Sequence, residues 1–429
     1  MAEAIRRAGI VVTGTEVLTG RVPDQNGPWL AEQLRVIGVD IAHVIQVGDR
    51  PDDLRHSLQF LADRGLDVII TSGGLGPTAD DLTAEVVGAF QERPSRVDVA
   101  LEARIADIVV RISAGRGWRT DPEATAAGTR KQALVPDGAS VLEPVGTAPG
   151  LIVPPADGST GAPIVVLPGP PRELQGMWDA VLANPVVQDA IRGRDELRQQ
   201  TMRLWGVPES QLAATLRAHA DELDGLEITT CLRGGELEIV TRYAPAAQTG
   251  YDGLEKTIRA DFGRELFSTD GRTVEDIVAD ELIAQGLTIA TAESCTAGGL
   301  ASRLTDRPGS SAYLVGGLVV YSNEMKTLLA GVPAELIERV GAVSAEVALA
   351  LAEAARDRLG TDIGVGITGI AGPDGGTPEK PVGLVHFCVA GAEEPLSRRV
   401  IVPGSRADVR ARSVTIALHM VRRVLESVR

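Results

Sequence analysis

A chain of 429 residues is longer than one ordinary hydrophobic core supports, so two or three domains are expected. With 44% hydrophobic and 23% charged residues, and no apolar run long enough for a membrane span, the composition is that of a globular protein without a membrane partner. The formal charge of −16 removes any general attraction to nucleic acid. The apolar stretch near the start, AGIVV, is cut by Thr13 and Gly14, which argues against a secretory signal. Cys231, Cys295 and Cys388 are far apart and odd in number, so no disulfide framework is expected and a cytoplasmic location follows.

In chain order, AGIVVTG, IAHVIQVGD and DVIITSGG read as strands, alternating with helical NGPWLAEQLRVIG, DDLRHSLQFLADRG and DDLTAEVVGAF. Such alternation predicts a parallel sheet covered by helices, with chemistry at the carboxyl ends of the strands. After a helical and loop region, QALVPDG, TAPGLIVPP and APIVVLPGPP add short apolar runs, and the Pro-Gly cluster sets the first boundary at 171. Residues 172–270 change character: helical RELQGMWDAVLAN is followed by GLEITTCLRGGELEIVTRYA, whose alternation predicts a hairpin turning at Arg233-Gly234-Gly235. From 271 to 429 strand and helix alternate again, through GLTIATA, LVGGLVVYS, DIGVGITG and VGLVHFCVAG to a last helix beginning near Ala407. The expected fold is therefore α/β, with two parallel-sheet domains (1–171 and 271–429) joined by a small α+β module (172–270).

The stretch TAESCTAGG places Ser294 where a strand hands over to a helix. A serine there is either a helix N-cap or a nucleophile beside backbone N–H donors suited to an oxyanion. In YSNEMKTLLAG, Ser322 or Asn323 caps a helix and Lys326 falls in its first turn. The helix dipole and burial would lower the lysine pKa, giving a neutral base for a Ser–Lys dyad with Tyr321 beside it; a solvated surface lysine is the plainer reading. The loop GITGIAGPDGG, containing Thr368, Gly369 and Gly372, suits close backbone approach to a phosphate or carbonyl. Cys295 reads as a packed thiol and His386 as a packed strand histidine rather than as catalytic groups.

The segments AESCTAGG, YSNEMK, GAVSAE, ITGIAGPDGG, EKPVG and PGSRADVR occur in the order and spacing of the nicotinamide mononucleotide deamidase domain of the CinA (competence/damage-inducible protein A) family, which this region resembles. The resemblance implies metal-free hydrolysis of NMN to nicotinic acid mononucleotide and ammonia. It assigns Ser294 as nucleophile, Lys326 as base, Tyr321 as its neighbour, Thr368 to the glycine loop and Arg406 to the phosphate. The oxyanion would be held by N–H groups at the start of the helix after Ser294.

Near the amino terminus, GTEVLTGRVPDQN and TSGGLGPTADDLT bring Glu16, Asp24, Asp80 and Asp81 close to Gly73, Gly74 and Gly76. Such carboxylates suit a hard divalent ion bridging phosphates, whereas Thr78 with Asp80 and Asp81 could equally form an acidic helix start. With GTAPG and LPGPPRE, these segments resemble the molybdopterin-binding-like domain that begins CinA proteins. That likeness implies an ADP-ribose pyrophosphatase using Mg, Mn or Co, with Gly73, Gly74, Gly76 and Thr78 toward the substrate and Glu16, Asp24, Asp80 and Asp81 toward the metal. The alternatives are a nucleotide- or pterin-binding module without turnover, or a competence or DNA-repair accessory. Small nucleotides are the expected partners, and a homodimer the expected assembly.

Overall fold

A computed structural model describes residues 5–116, 121–194, 196–391 and 393–427. The chain divides into two compact units, Met1–Arg198 and Gln199–Arg429.

The first unit is built on a six-stranded sheet in the order Asp40–Val47, Arg7–Thr13, Val68–Ser72, Ile164–Leu167, Gly150–Val153, Ser140–Leu142. The first four strands are mutually parallel and the last two antiparallel. The all-parallel expectation fails at that edge because the connections around 143–163 contain no helix to make a crossover. Side chains alternate between two cores. Ile10, Val12, Ile70 and Val165 face Leu30, Leu34 and Trp178, while Val11, Ile69 and Val166 face Leu54, Leu58 and Val87.

The first strand lies between its two sequence successors, so the chain changes direction across the sheet there. The crevice at the carboxyl ends of Arg7–Thr13 and Val68–Ser72 is therefore a switch point, the usual place for a ligand in such sheets.

The helix Pro171–Ala183, expected in the linking module, presents Leu174, Met177, Trp178 and Val181 to the first core at helical spacing. The first unit thus continues past 171. Its division from the second falls at 198, because the Pro-Gly cluster starts a helix of the same core instead of a linker.

In the second unit a four-stranded sheet runs in the order Leu226–Arg233, Glu236–Tyr243, Arg198–Trp205, Leu266–Ser268. The expected hairpin is present: Arg233 pairs with Glu236 across Gly234 and Gly235, whose φ values of 61° and 95° are those a two-residue turn of this kind requires. A five-stranded sheet follows in the order Leu314–Val319, Ile289–Glu293, Ile363–Gly369, Leu384–Ala390, Leu396–Ile401, parallel in its first three strands and antiparallel in its last two.

The helices Val274–Gln285 and Arg406–Ser427 cover one face and Ala345–Leu359 the other. In the strand Ile363–Gly369, a Cβ at Gly364 or Gly366 would come within 2.0 Å of Ala352 O or 2.1 Å of Ala348 O. Glycine there lets the helix lie directly on the strand backbone. The two sheets of this unit meet at His419, which stacks on Trp205 at 4.3 Å and sits 2.6 Å from Glu236 through Nε2.

Candidate active sites

In the second unit Ser294 directly follows the strand Ile289–Glu293, as expected, and its N–H donates to Ile367 O at 3.0 Å. It is not a helix cap. Residues 294–298 form a turn with Ala297 at φ 51° and Gly298 at φ 87°, and the helix begins only at Gly299. The start of that helix is capped from behind by Glu293, whose fully buried carboxylate accepts Leu300 N–H at 3.1 Å and Ala301 N–H at 2.9 Å, with Thr291 Oγ1 at 3.1 Å.

The helix N–H groups expected to meet an oxyanion are therefore already taken. Among the described residues, the N–H groups of Cys295, Thr296 and Gly298 donate to no backbone carbonyl, although those of Cys295 and Thr296 turn toward the Cys295 sulfur.

Lys326 is buried at 2% exposure in the helix Asn323–Leu328, which Ser322 caps through Met325 N–H. The surface reading of this lysine is thus excluded. Burial pushes its pKa down, with the neighbouring Cys295 and Glu324 acting weakly the other way. Its Nζ donates to Tyr321 O at 3.1 Å, and among the described residues no hydrogen bond joins it to Ser294 Oγ. Cys295 is buried too, and desolvation pushes its thiol up to about 12, which makes it a packed, unreactive group.

Tyr321 serves two neighbours with different atoms. Its main-chain oxygen faces Lys326, whereas its exposed phenol accepts Arg406 Nη2 at 2.7 Å. Arg406 also donates from Nη1 to Gly372 O at 2.8 Å, tying the glycine loop to Tyr321. Thr368 is buried and donates to Ala342 O at 2.7 Å, so its hydroxyl supports the loop before Ser344. Gly369 is required by Leu384 O, which would lie 2.8 Å from an added Cβ. His386 is nearly buried and burial lowers its pKa, in keeping with a packed strand position.

Sequence reasoning missed two residues here. One is Glu293, whose cap is made across the turn. The other is Arg410, which lies one helical turn beyond Arg406 and donates from Nη2 to Thr296 O at 3.0 Å.

In the first unit a cavity of about 410 Å³ opens at the switch point. Gly73, Gly74 and Gly76 line it; Gly73 and Gly74 have φ of 106° and 67°, and an added Cβ would lie 2.5 Å from Thr13 O and 2.1 Å from Thr83 Oγ1, whereas at Gly76 it would meet only the Asp81 carboxylate, 2.4 Å from Oδ2. Glu16, Asp80 and Asp81 also line it. Thr78 Oγ1 lies 2.5 Å from Asp80 Oδ1 and 2.5 Å from Asp81 Oδ2, within reach to give its one proton to either, and Asp81 takes Thr78 N–H at 2.9 Å, so the acidic turn is real. The Thr78 hydroxyl holds the Asp80 carboxyl below its usual range.

Asp24 is not among the residues lining the cavity. Its Oδ1 accepts Asn26 and Gly27 N–H at the start of the helix Asn26–Val36, which makes it a structural cap. Asp49 and Glu173, neither singled out from the sequence, do line the cavity. Asp49 was findable, since it lies two residues beyond the end of the strand Asp40–Val47.

Among the described residues no three His, Cys, Asp or Glu side chains assemble into a preformed metal cage. The available carboxylates are hard oxygens, and apart from the adjacent Asp80 and Asp81 they lie on separate segments. They fit an ion held by one or two carboxylates together with substrate phosphates, not one enclosed by protein alone.

Each unit thus carries its own strand-end site, and the class the fold defines is a two-site α/β protein. Residues 271–425 match the family described as "CinA C-terminal domain", and residues 9–189 match the "Probable molybdopterin binding domain". A CinA-like protein from Mycolicibacterium gilvum is 59% identical over 424 residues, 98% of each chain, and one from Mycobacterium tuberculosis is 52% identical over 430 residues, again 98% of each. Among solved structures, the competence/damage inducible protein CihA from Agrobacterium tumefaciens is 36% identical, covering 37% of this chain and 99% of that one at a TM-score of 0.35. A CinA protein of unknown function from Thermoplasma acidophilum is 29% identical, covering 41% and 96% at 0.33. The chain belongs to the CinA-like family. Among the described residues no helix is long and apolar enough to cross a membrane.

Proposed function

We propose that the second unit hydrolyses the carboxamide of NMN, giving nicotinic acid mononucleotide and ammonia. The observation that carries this is Lys326: a lysine buried, depressed in pKa and in no ion pair among the described residues is suited to be a neutral base, and Ser294 follows the strand paired with the one that leads to it. Lys326 takes the Ser294 proton as Oγ attacks the amide carbon. An N–H of the turn 295–298 would receive the developing oxyanion, ammonia leaves with the proton, and water hydrolyses the ester. Arg406 and the Gly372 loop bind the phosphate end.

For the first unit we propose hydrolysis of an ADP-ribose-type pyrophosphate in the glycine-lined cavity. Asp80, Asp81 and Glu16 would hold a divalent ion such as Mg, Mn or Co, whose contribution is to neutralise phosphate charge. The absence of a preformed cage among the described residues favours, as a second reading, a nucleotide-binding site without turnover. The protein would act as a homodimer in the cytoplasm on small nucleotides. Chromatography of products from NMN and from ADP-ribose, each with and without divalent metal, tests both activities. Ammonia release without metal and AMP formation only with metal is the expected result, and failure of either removes that assignment.

A further inference from the structure

The five carboxylates lining the first unit's cavity are not equivalent. Asp80 and Asp81 are engaged by Thr78. Asp49 accepts Thr15 N–H at 2.8 Å. Glu16 is exposed. Glu173 alone is half-buried with no hydrogen bond or ion pair to its carboxylate among the described residues.

Its place in the helix explains why it is free. Glu173 is the third residue of Pro171–Ala183, the position from which a glutamate usually reaches back to the N-cap N–H. The N-cap here is Pro170, which has no N–H to offer. The carboxylate is instead covered by the backbone of Gly146, where an added Cβ would lie 2.2 Å from the carboxyl carbon. Burial raises the Glu173 pKa although a helix start would lower it, and a raised pKa makes a carboxylate a better base.

We propose that Glu173 is the proton acceptor for the water that cleaves a nucleoside-diphosphate-type substrate in this cavity. The inference rests on reading the cavity as a pyrophosphatase site. The water oxygen forms a bond to one phosphorus, the bridging P–O bond breaks with its electron pair going to the leaving phosphate, and the water proton passes to Glu173 and then to solvent. AMP and ribose 5-phosphate account for all atoms when ADP-ribose is the substrate.

The test is steady-state hydrolysis of ADP-ribose with Mg²⁺ by the full chain and by Glu173→Gln and Glu173→Asp, from about pH 5 to about pH 9, with ADP-ribose binding measured by calorimetry. The expected result is a loss of roughly 100-fold or more in kcat for Glu173→Gln at similar KM and similar binding, with the acid-side limb of the wild-type profile removed. Glu173→Asp should keep that limb at a lower rate. Wild-type kcat in Glu173→Gln, or a loss confined to KM, overturns the role of Glu173 while leaving the pyrophosphatase reading in place. Absence of turnover by the wild type overturns that reading and this role with it.

Discussion

Replacing Glu293 by alanine should damage the second unit more than any other single change beside its site. The carboxylate is 0% exposed and accepts three hydrogen bonds, two from backbone N–H groups at the start of the helix Gly299–Leu304 and one from Thr291. A hydrogen bond to a charged acceptor contributes about 1.5–3 kcal/mol, and a buried donor left without a partner costs about 1–3 kcal/mol. The three are not additive, since water can enter the space and the turn can relax, so the expected loss is about 3–5 kcal/mol. Set against a typical total of about 5–15 kcal/mol, that approaches unfolding of the unit. Glu293→Gln keeps one acceptor oxygen but turns an NH₂ toward a donor, so about 2–3 kcal/mol is expected. Because the chain has two units, a single unfolding midpoint mixes them. Hydrogen exchange of peptides covering 294–304, read beside urea unfolding, isolates the effect. Exchange and unfolding unchanged in Glu293→Ala would refute the capping role.

That cap shows where the sequence stops being legible. The strand, the glycines and Ser294 could all be read from TAESCTAGG, but placing the helix start at Ser294 assumed a local N-cap. The actual acceptor is seven residues before the N–H it satisfies, reached through a turn that needs positive φ at Ala297 and Gly298. The same limit separates Tyr321 from Arg406, 85 positions apart and joined only by the fold. The α/β class was legible because apolar runs of strand length alternated with helical spacing. The antiparallel edges were not, since short apolar strands look alike in either direction and only the connections distinguish them. The first boundary misled for a physical reason as well: Pro170 and Pro171 resemble a linker, yet proline is well suited to opening a helix, and Leu174, Met177, Trp178 and Val181 carry that helix into the first core.

Four further outcomes are expected. Ser294→Ala should abolish NMN deamidation and leave metal-dependent ADP-ribose cleavage intact; ammonia release at the wild-type rate would sink the nucleophile assignment. Asp80→Asn and Asp81→Asn should each raise the metal concentration needed for ADP-ribose cleavage without touching deamidation, and an unchanged metal titration would return both to the structural turn made with Thr78. Burial pushes His419 down to about 2 and Glu236 up to about 7. The folded pair therefore holds one proton where the unfolded pair also holds about one, and its stability contribution is nearly flat from about pH 4.5 to about pH 6.5. His419→Phe leaves Glu236 alone with a raised pKa, so the folded state binds the extra proton and the second unit's stability, read by hydrogen exchange of its peptides, should fall as pH rises through about 7; a flat profile in the variant contradicts the raised Glu236 pKa. The last concerns Lys326, whose burial favours the neutral amine. The unfolded chain then binds the extra proton, so this residue's contribution to stability increases with pH toward the ordinary lysine value of about 10.4, and deamidation should increase with pH through the lowered folded pKa. Lys326→Arg retains a cation that cannot give up its proton, and should lose most turnover while still binding NMN. Turnover and a pH–rate profile like the wild type's in Lys326→Arg would show that no proton passes through this side chain, whereas lost affinity at unchanged kcat would make Lys326 a phosphate contact.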